Sequence, residues 1–195
     1  NQYQQAAEIP LLIGVDEEGG NVNRVSLYKA FRAAPFHSPQ SLYAQGGFPL
    51  VVSDTIEKAA LLQSLGVNVN LAPVCDVSNN PSDYIYPRTF GKDAKQTAAY
   101  VKTVVETMNG RKLGAVLKHF PGYGSNVDTH TGIATDTRPY TSFETADFLP
   151  FQAGIAAGAG GVLVSHNIVT CMDETLPASL SPAVHRVLRD TLGFN

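Results

Sequence analysis

The sequence predicts an α/β fold, a parallel sheet covered by helices, and three observations carry that prediction. Short β-branched runs alternate with longer amphipathic stretches, the βαβα rhythm of parallel strands joined by crossover helices. Apolar strands end in polar residues, and long loops follow three of them on that side. The 195 residues are 44% hydrophobic and 16% charged, enough to bury a core and too apolar for intrinsic disorder.

The strand candidates are Pro10-Leu11-Leu12-Ile13-Gly14-Val15-Asp16, Val67-Asn68-Val69-Asn70-Leu71-Ala72-Pro73, Ala115-Val116-Leu117-Lys118-His119 and Gly161-Val162-Leu163-Val164-Ser165-His166. Between them, Ser53 can cap a helix carrying Ile56, Ala59, Ala60 and Leu62 and stopping at Gly66. Asp93 with Gln96 resembles a capping box for a helix bearing Val101, Val104, Val105 and Met108, closed by Gly110. Thr141 with Glu144 offers another, leading to Phe148, Leu149 and Ile155. Ser181 followed by Pro182 is an N-cap with a first-turn proline, and Gly193 ends that helix. Residues 1–7 fit the tail of an earlier helix.

The loops Glu17 to Val52, Val74 to Lys92 and Phe120 to Tyr140 all follow strands at their carboxyl ends, where parallel α/β folds bind ligands. Other classes are disfavoured. Fourteen Lys+Arg against 17 Asp+Glu leave a net charge of -3 and no basic field for nucleic acid or an anionic membrane surface. No apolar run approaches the roughly 20 residues of a membrane span. No basic, apolar leader opens the chain, which begins at Asn1, and the compartment, cytoplasmic or secreted, stays open. Cys75 and Cys171 make no disulfide framework or zinc spacing and are expected in the core.

The strongest local constellation runs from Lys118-His119 through Phe120-Pro121-Gly122-Tyr123-Gly124 to Asp128-Thr129-His130. In an extended segment Asp128 and His130 would point the same way, so the carboxylate could bond one imidazole nitrogen and raise its basicity, an acid/base arrangement. An Asp-x-His pair that merely caps a loop is the plain alternative. Metal ligation by His119, His130 and Asp128 lacks a spacing that fixes geometry, so no metal is expected. Lys118 as a Schiff-base lysine would need an apolar pocket; in a polar cluster it fits a donor to hydroxyls or carboxylates. Asp16-Glu17-Glu18-Gly19-Gly20 could offer a carboxylate to sugar hydroxyls, with glycines allowing close backbone approach to a ligand. Glu17 and Glu18 could equally be solvated or orient Arg24. Arg88 gains weight from its loop on the same face.

Taken together, the segments resemble the β-N-acetylhexosaminidase branch of glycoside hydrolase family three. The matching stretches are residues 9–20, Leu71 to Val77, Arg88-Thr89-Phe90-Gly91, Lys118 to Gly122 with Asp128-Thr129-His130, and Ser165-His166, in the family's order. The resemblance implies a (β/α)8 TIM-type barrel, of which about four βα units are present, so residues 1–195 would form part of the family's N-terminal catalytic barrel domain. It implies His130 as catalytic acid/base with Asp128 as its partner, and sugar contacts by Asp16, Arg24, Arg88, Lys118 and His119. It implies retaining removal of terminal β-linked N-acetylglucosamine from peptidoglycan fragments or related oligosaccharides, without a cofactor. Two departures touch fine specificity: Tyr123 stands where this branch more often has histidine, and Asn21 where arginine is frequent.

The family forms a covalent glycosyl-enzyme on an aspartate after the next strand, whereas this sequence stops at Leu192-Gly193-Phe194-Asn195. Retaining hydrolysis needs both groups, so the 195 residues alone are expected to be inactive or nearly so. Two rival readings stay open, a non-catalytic carbohydrate-binding module and a phosphorylase using phosphate in place of water. A barrel of eight units typically runs to about 250 residues. Four units would leave edges for a homo-oligomeric or domain-swapped partner, or further chain, to cover.

Overall fold

The computed structural model of the chain describes residues 2–128 and 132–195. Helix α1 (Gln2–Ala6) leads into β1 (Gly14–Val15), α2 (Pro39–Ser64), β2 (Val69–Asn70), α3 (Ala94–Gly110) and β3 (Gly114–Phe120). There follow β4 (Thr135–Asp136), α4 (Tyr140–Ser142), α5 (Phe148–Ala156), β5 (Gly161–Val164), β6 (Ile168–Val169) and α6 (Pro182–Arg186). Wider π-helical turns join α4 to α5 over Phe143–Asp147 and extend α6 over Val187–Thr191. Strands β1, β2, β3 and β5 lie side by side in chain order, all parallel, and helical chain follows each. These are the four βα units the alternation predicts, in the arrangement of a partial TIM-type barrel.

The core sits between this sheet and α3 and α5. Strand β3 buries Ala115, Leu117 and Phe120 completely, and full burial of a Leu or Phe side chain contributes about 1.5–3 kcal/mol each. The α5 backbone comes so close that a Cβ on Gly154 would lie 2.6 Å from Leu117 Cδ2, so a larger residue here would have to displace the buried Leu117 side chain. Phe90 stacks on Tyr100 of α3 at 4.6 Å, and Phe120 packs edge-on against Phe151 of α5 at 5.2 Å.

Several helix ends form as their residues predict, and Gly66 turns the chain out of α2 at φ 81°. The Asp93 carboxylate accepts from the Gln96 N–H at 2.8 Å, the Ser181 hydroxyl from the Val184 N–H at 3.2 Å, and Gly193 turns the chain out of its helix at φ 72°. Others do not. Ser53 lies inside α2; Ser38 is the cap, and residues 39–52, expected as loop, are helical. Gly46 and Gly47 break the helical geometry there, which hides the continuity from a periodicity search. Thr141 caps nothing, because its helix begins after Pro139 and its carbonyl accepts from the Thr145 hydroxyl. The first strand is only two residues long. The Asn68 side chain takes up the Ile13 N–H and Leu11 carbonyl, and the Gln4 side chain both polar groups of Leu11.

Cys75 is buried as expected, while Cys171 is exposed. Among the described residues no helix is long and apolar enough to cross a membrane. One feature had no sequence signal: β4 pairs in parallel with β6, tying the chain after β3 to the chain after β5.

Candidate active site

A cleft of about 510 Å³ opens over the carboxyl ends of the four strands. Asp16 reaches it from the end of β1, Leu71 from the end of β2, Lys118 and His119 from β3, and Ser165 and His166 from the end of β5. Arg24 and Arg88 enter from the loops after β1 and β2. All five residues that the resemblance implies as sugar contacts, Asp16, Arg24, Arg88, Lys118 and His119, therefore line one cavity. Chain segments 102 residues apart meet because parallel βα units bring every strand end to the same side.

The cleft floor is a charge network centred on Glu18. Lys118 Nζ donates to Asp16 Oδ1 at 2.7 Å and lies 2.5 Å from Glu18 Oε1. Arg88 grips the same carboxylate with both prongs, Nε to Oε2 at 3.0 Å and Nη2 to Oε1 at 2.7 Å. Burial would push the Glu18 carboxyl up, but the Arg88 hydrogen bonds and the Lys118 charge outweigh it and hold it below its ordinary value. Two carboxylates around Lys118 make its nitrogen a donor, the opposite of the apolar pocket that Schiff-base chemistry requires.

Arg88 also sets the state of His119. Its Nη2 lies 3.1 Å from His119 Nε2, and because a guanidinium can only donate, Nε2 accepts. Nδ1 then carries the ring proton and donates to Asp76 Oδ2 at 2.7 Å, a tautomer fixed by the network. In this tautomer His119 orients Arg88 through an Nε2 that carries no proton. The other Asp76 oxygen accepts from the Tyr123 N–H at 2.8 Å and so anchors the loop that follows β3. The Lys118–His119 peptide is cis, as are Ala72–Pro73 and Phe120–Pro121.

Glu17 and Glu18 are not solvated. Glu17 is fully buried and accepts from the N–H groups of Arg24, Val25 and Ser26 at 2.7, 2.8 and 3.1 Å, and from the Ser26 hydroxyl. It folds the loop that presents Arg24, whose guanidinium donates to the Asn23 carbonyl at 3.2 Å. The glycines serve the chain itself. A Cβ on Gly19, at φ 101°, would lie 2.2 Å from the His37 carbonyl oxygen, so the close approach is to the protein's own backbone.

Asp128 is half-buried and lies near cleft-lining Tyr84, whose phenol is held above its ordinary value by burial first and then by the Asp128 carboxylate. Thr129, His130 and Thr131 lie outside the described residues, so the Asp128–His130 pair has no geometry to report. The loop is secured at its base. The Arg138 guanidinium donates to both Asp136 oxygens, to Asp147 Oδ2 at 2.9 Å and to the Gly122 carbonyl at 3.3 Å, spanning the loop's two ends. No group of three or more potential metal ligands gathers among the described residues.

Sequence reasoning passed over Tyr84, which lines the cleft, and Asp76, which holds His119, and offered Glu18 to solvent or to Arg24 where the fold pairs it with Arg88 and Lys118. Asp76 carries the signal that found Asp16, an acid closing an apolar run at a strand's carboxyl end. Glu18 and Tyr84 had none, because their partners come from other βα units.

The chain matches the sequence profile described as the Glycosyl hydrolase family 3 N terminal domain over residues 1–195. Relatives described as beta-hexosaminidases from Xylella fastidiosa (strain M12) and Xanthomonas oryzae pv. oryzae are 33% and 35% identical over 98% and 97% of the chain. The chain spans 58% and 57% of those proteins. A family 3 beta-N-acetylglucosaminidase structure from Paenibacillus sp. str. FPU-7 superposes with a TM-score of 0.86 at 32% identity, over 95% of this chain and 35% of that one. LpqI of M. tuberculosis superposes at 0.88 with 29% identity, over 99% of this chain and 56% of that one. With the profile matched from end to end and the barrel units superposing, the chain belongs to glycosyl hydrolase family 3.

Proposed function

We propose that the protein carrying these 195 residues is a retaining β-N-acetylhexosaminidase that removes terminal β-linked N-acetylglucosamine, from peptidoglycan fragments or related oligosaccharides. The observation that carries this reading is the convergence of Asp16, Arg24, Arg88, Lys118 and His119 on one cleft. Carboxylate and cation alternate across a few ångströms there, which suits the hydroxyls of a sugar ring, since each hydroxyl both donates and accepts. The similarity to proteins described as beta-hexosaminidases and a beta-N-acetylglucosaminidase supports the N-acetyl sugar.

In this reading His130, held by Asp128, protonates the glycosidic oxygen as the bond to the sugar breaks. A carboxylate from elsewhere in the protein takes the anomeric carbon. His130 then removes a proton from the water that releases the sugar with its β configuration retained. Lys118, Asp16 and Arg88 fix the ring, and His119 and Asp76 hold Arg88 in place.

The test is hydrolysis by the whole protein of aryl N-acetyl-β-glucosaminide against aryl β-glucoside, with the anomer followed by proton NMR and with phosphate present or absent. Strong preference for the N-acetyl sugar, a β product and no sugar phosphate are expected. An α product, or equal rates on both sugars, overturns the reading, and a sugar phosphate replaces water by phosphate as acceptor.

A further inference from the structure

The cleft carries its charge on one side. Asp16, Arg24, Arg88 and Lys118 come from β1, β3 and the loops after β1 and β2, whereas the β5 side contributes Leu163, Val164, Ser165 and His166, none of them an acid or a permanent cation. The two imidazoles that line the cleft differ in a related way. Both ring nitrogens of His119 are engaged, Nε2 by Arg88 and Nδ1 by Asp76. His166 is exposed and meets Ser179 Oγ with Nδ1 at 2.8 Å, and its Nε2 has no protein partner among the described residues. Ser179 is held in place from two directions. Its N–H donates to the Ser165 carbonyl at 2.9 Å and the Ala178 N–H to the Asn167 carbonyl at 2.8 Å, so the turn Ala178–Leu180 is laced to the chain on either side of His166. The loop that brings it there is folded by Asp173, whose carboxylate accepts from the Thr175 and Leu176 N–H groups at 3.0 Å and from the Ser181 hydroxyl at 2.7 Å.

We infer that His166 is a specificity-determining residue of the cleft, its Nε2 hydrogen-bonding the amide of the sugar's 2-acetamido group while Leu163 and Val164 cover the methyl, with Ser179 as its positioning residue. The inference rests on the reading of the substrate as a β-linked N-acetylglucosaminide and assigns the group that tells it from a glucoside. An acetamido group is half apolar and uncharged, so the cleft floor, where carboxylates and cations answer one another and the sugar hydroxyls, suits it poorly. A neutral imidazole beside half-buried aliphatic side chains offers what an amide needs, one polar atom at the edge of an apolar surface. The Ser179 hydroxyl can donate to Nδ1 or accept from it, and Nε2 accordingly donates to the amide carbonyl or accepts from the amide N–H. A 2-hydroxyl has neither the reach of the amide nor a methyl to lay against Leu163 and Val164. His119 is barred from this role, because Arg88 and Asp76 already occupy its two nitrogens.

The whole protein and its His166→Ala, His166→Gln and Ser179→Ala variants are compared by kcat/KM on aryl N-acetyl-β-glucosaminide and aryl β-glucoside, and the ratio of the two is the readout. For His166→Ala the ratio is expected to fall about tenfold, the scale of one lost hydrogen bond. His166→Gln, which keeps a polar group within reach of the Nε2 position, is expected to restore part of it, and Ser179→Ala, which frees the ring, to lower it a few-fold. A merely structural role would depress both substrates together and leave the ratio where it was. A wild-type ratio in His166→Ala, with the N-acetyl sugar preferred as before, overturns the inference alone. Should His166→Ala fail to fold, a wild-type ratio in Ser179→Ala overturns it and a lowered one supports it. If the wild type itself shows no preference for the N-acetyl sugar, the reading of the substrate fails and this inference fails with it.

Discussion

Glu18 and Asp147 are both buried carboxylates gripped by an arginine, yet they sit on opposite sides of the ordinary carboxylate range. At Glu18, burial is outweighed by bidentate hydrogen bonds from Arg88 and the charges of Lys118 and Arg88, and its carboxyl lies below 4.5. At Asp147, burial prevails. Arg138 returns part of the cost, but the charges of Asp76 and Asp136 add to it, and the carboxyl is pushed up from 3.8 to about 6. Arg138 is itself raised, although burial opposes it, because Asp136 is its main hydrogen-bond partner and Asp147 adds to the effect. One arginine shared by two carboxylates leaves the second one underpaid, and Asp147 Oδ1 has no hydrogen-bond partner among the described residues. Glu18 is held by two cations, Arg88 and Lys118, whereas Asp147 shares Arg138 with Asp136, and that difference decides the outcome where burial is alike.

The comparison breaks most strongly at the cleft floor. Glu18→Ala leaves Arg88 and Lys118 buried without their shared anion, and a loss of about 3–5 kcal/mol in unfolding free energy is expected from denaturant titration. A loss below about 1 kcal/mol would mean that the cations find other partners, and the network would not be the organising element. At the loop base the largest effect belongs to the backbone. Gly122 adopts φ 132°, and a Cβ there would lie 2.2 Å from Asp147 Oδ1. Gly122→Ala is expected to cost roughly 2–3 kcal/mol by the same titration, from strain and the displaced carboxylate together.

The smallest and sharpest effect is in pH. Between about pH 4 and 6 the folded chain keeps a proton on Asp147 that the unfolded chain has released, so this group's contribution to stability falls as pH rises through that window. Glu18 has the opposite sign: its contribution is fully present above 4.5 and is lost as pH falls through its lowered folded value. Unfolding free energies of wild type, Asp147→Asn and Glu18→Gln measured from about pH 2.5 to 7.5 separate the two. Asp147→Asn is expected to lie within about 1 kcal/mol of wild type at pH 7.5, since it removes a poorly compensated charge, and to flatten the decline between pH 4 and 6. An Asp147→Asn variant that loses several kcal/mol at neutral pH would show that the loop base is as well paired as the cleft floor.

Much of this site was legible before any coordinate. Asp16, Lys118 and His119 end apolar runs, and a polar residue at the carboxyl end of a buried strand has few places to go except the cleft above it. The helix caps at Asp93 and Ser181 were legible because capping is local, within three residues. What failed was read across too short or too long a span. The kinked helix from Pro39 to Ser64 is interrupted at Gly46 and Gly47, so its periodicity restarts. The expected first strand shrank because the Asn68 and Gln4 side chains compete for its backbone. Glu17 and Glu18, adjacent in sequence and alike in type, divide their work between folding a loop and pairing two cations, and nothing local distinguishes them.

The sequence by itself determined the alternation of strands and helices, the parallel order of the sheet and the side on which ligand-binding residues would gather. These follow from apolar periodicity and from the chirality of βα units, both of which are properties of short stretches of chain. Only the tertiary structure decided who pairs with whom: that Glu18 serves Arg88 and Lys118, and that His119 accepts from Arg88 and leans on Asp76. Each of these contacts joins residues from different βα units, so its strength depends on distances and burial that exist only once the sheet has brought the strand ends together.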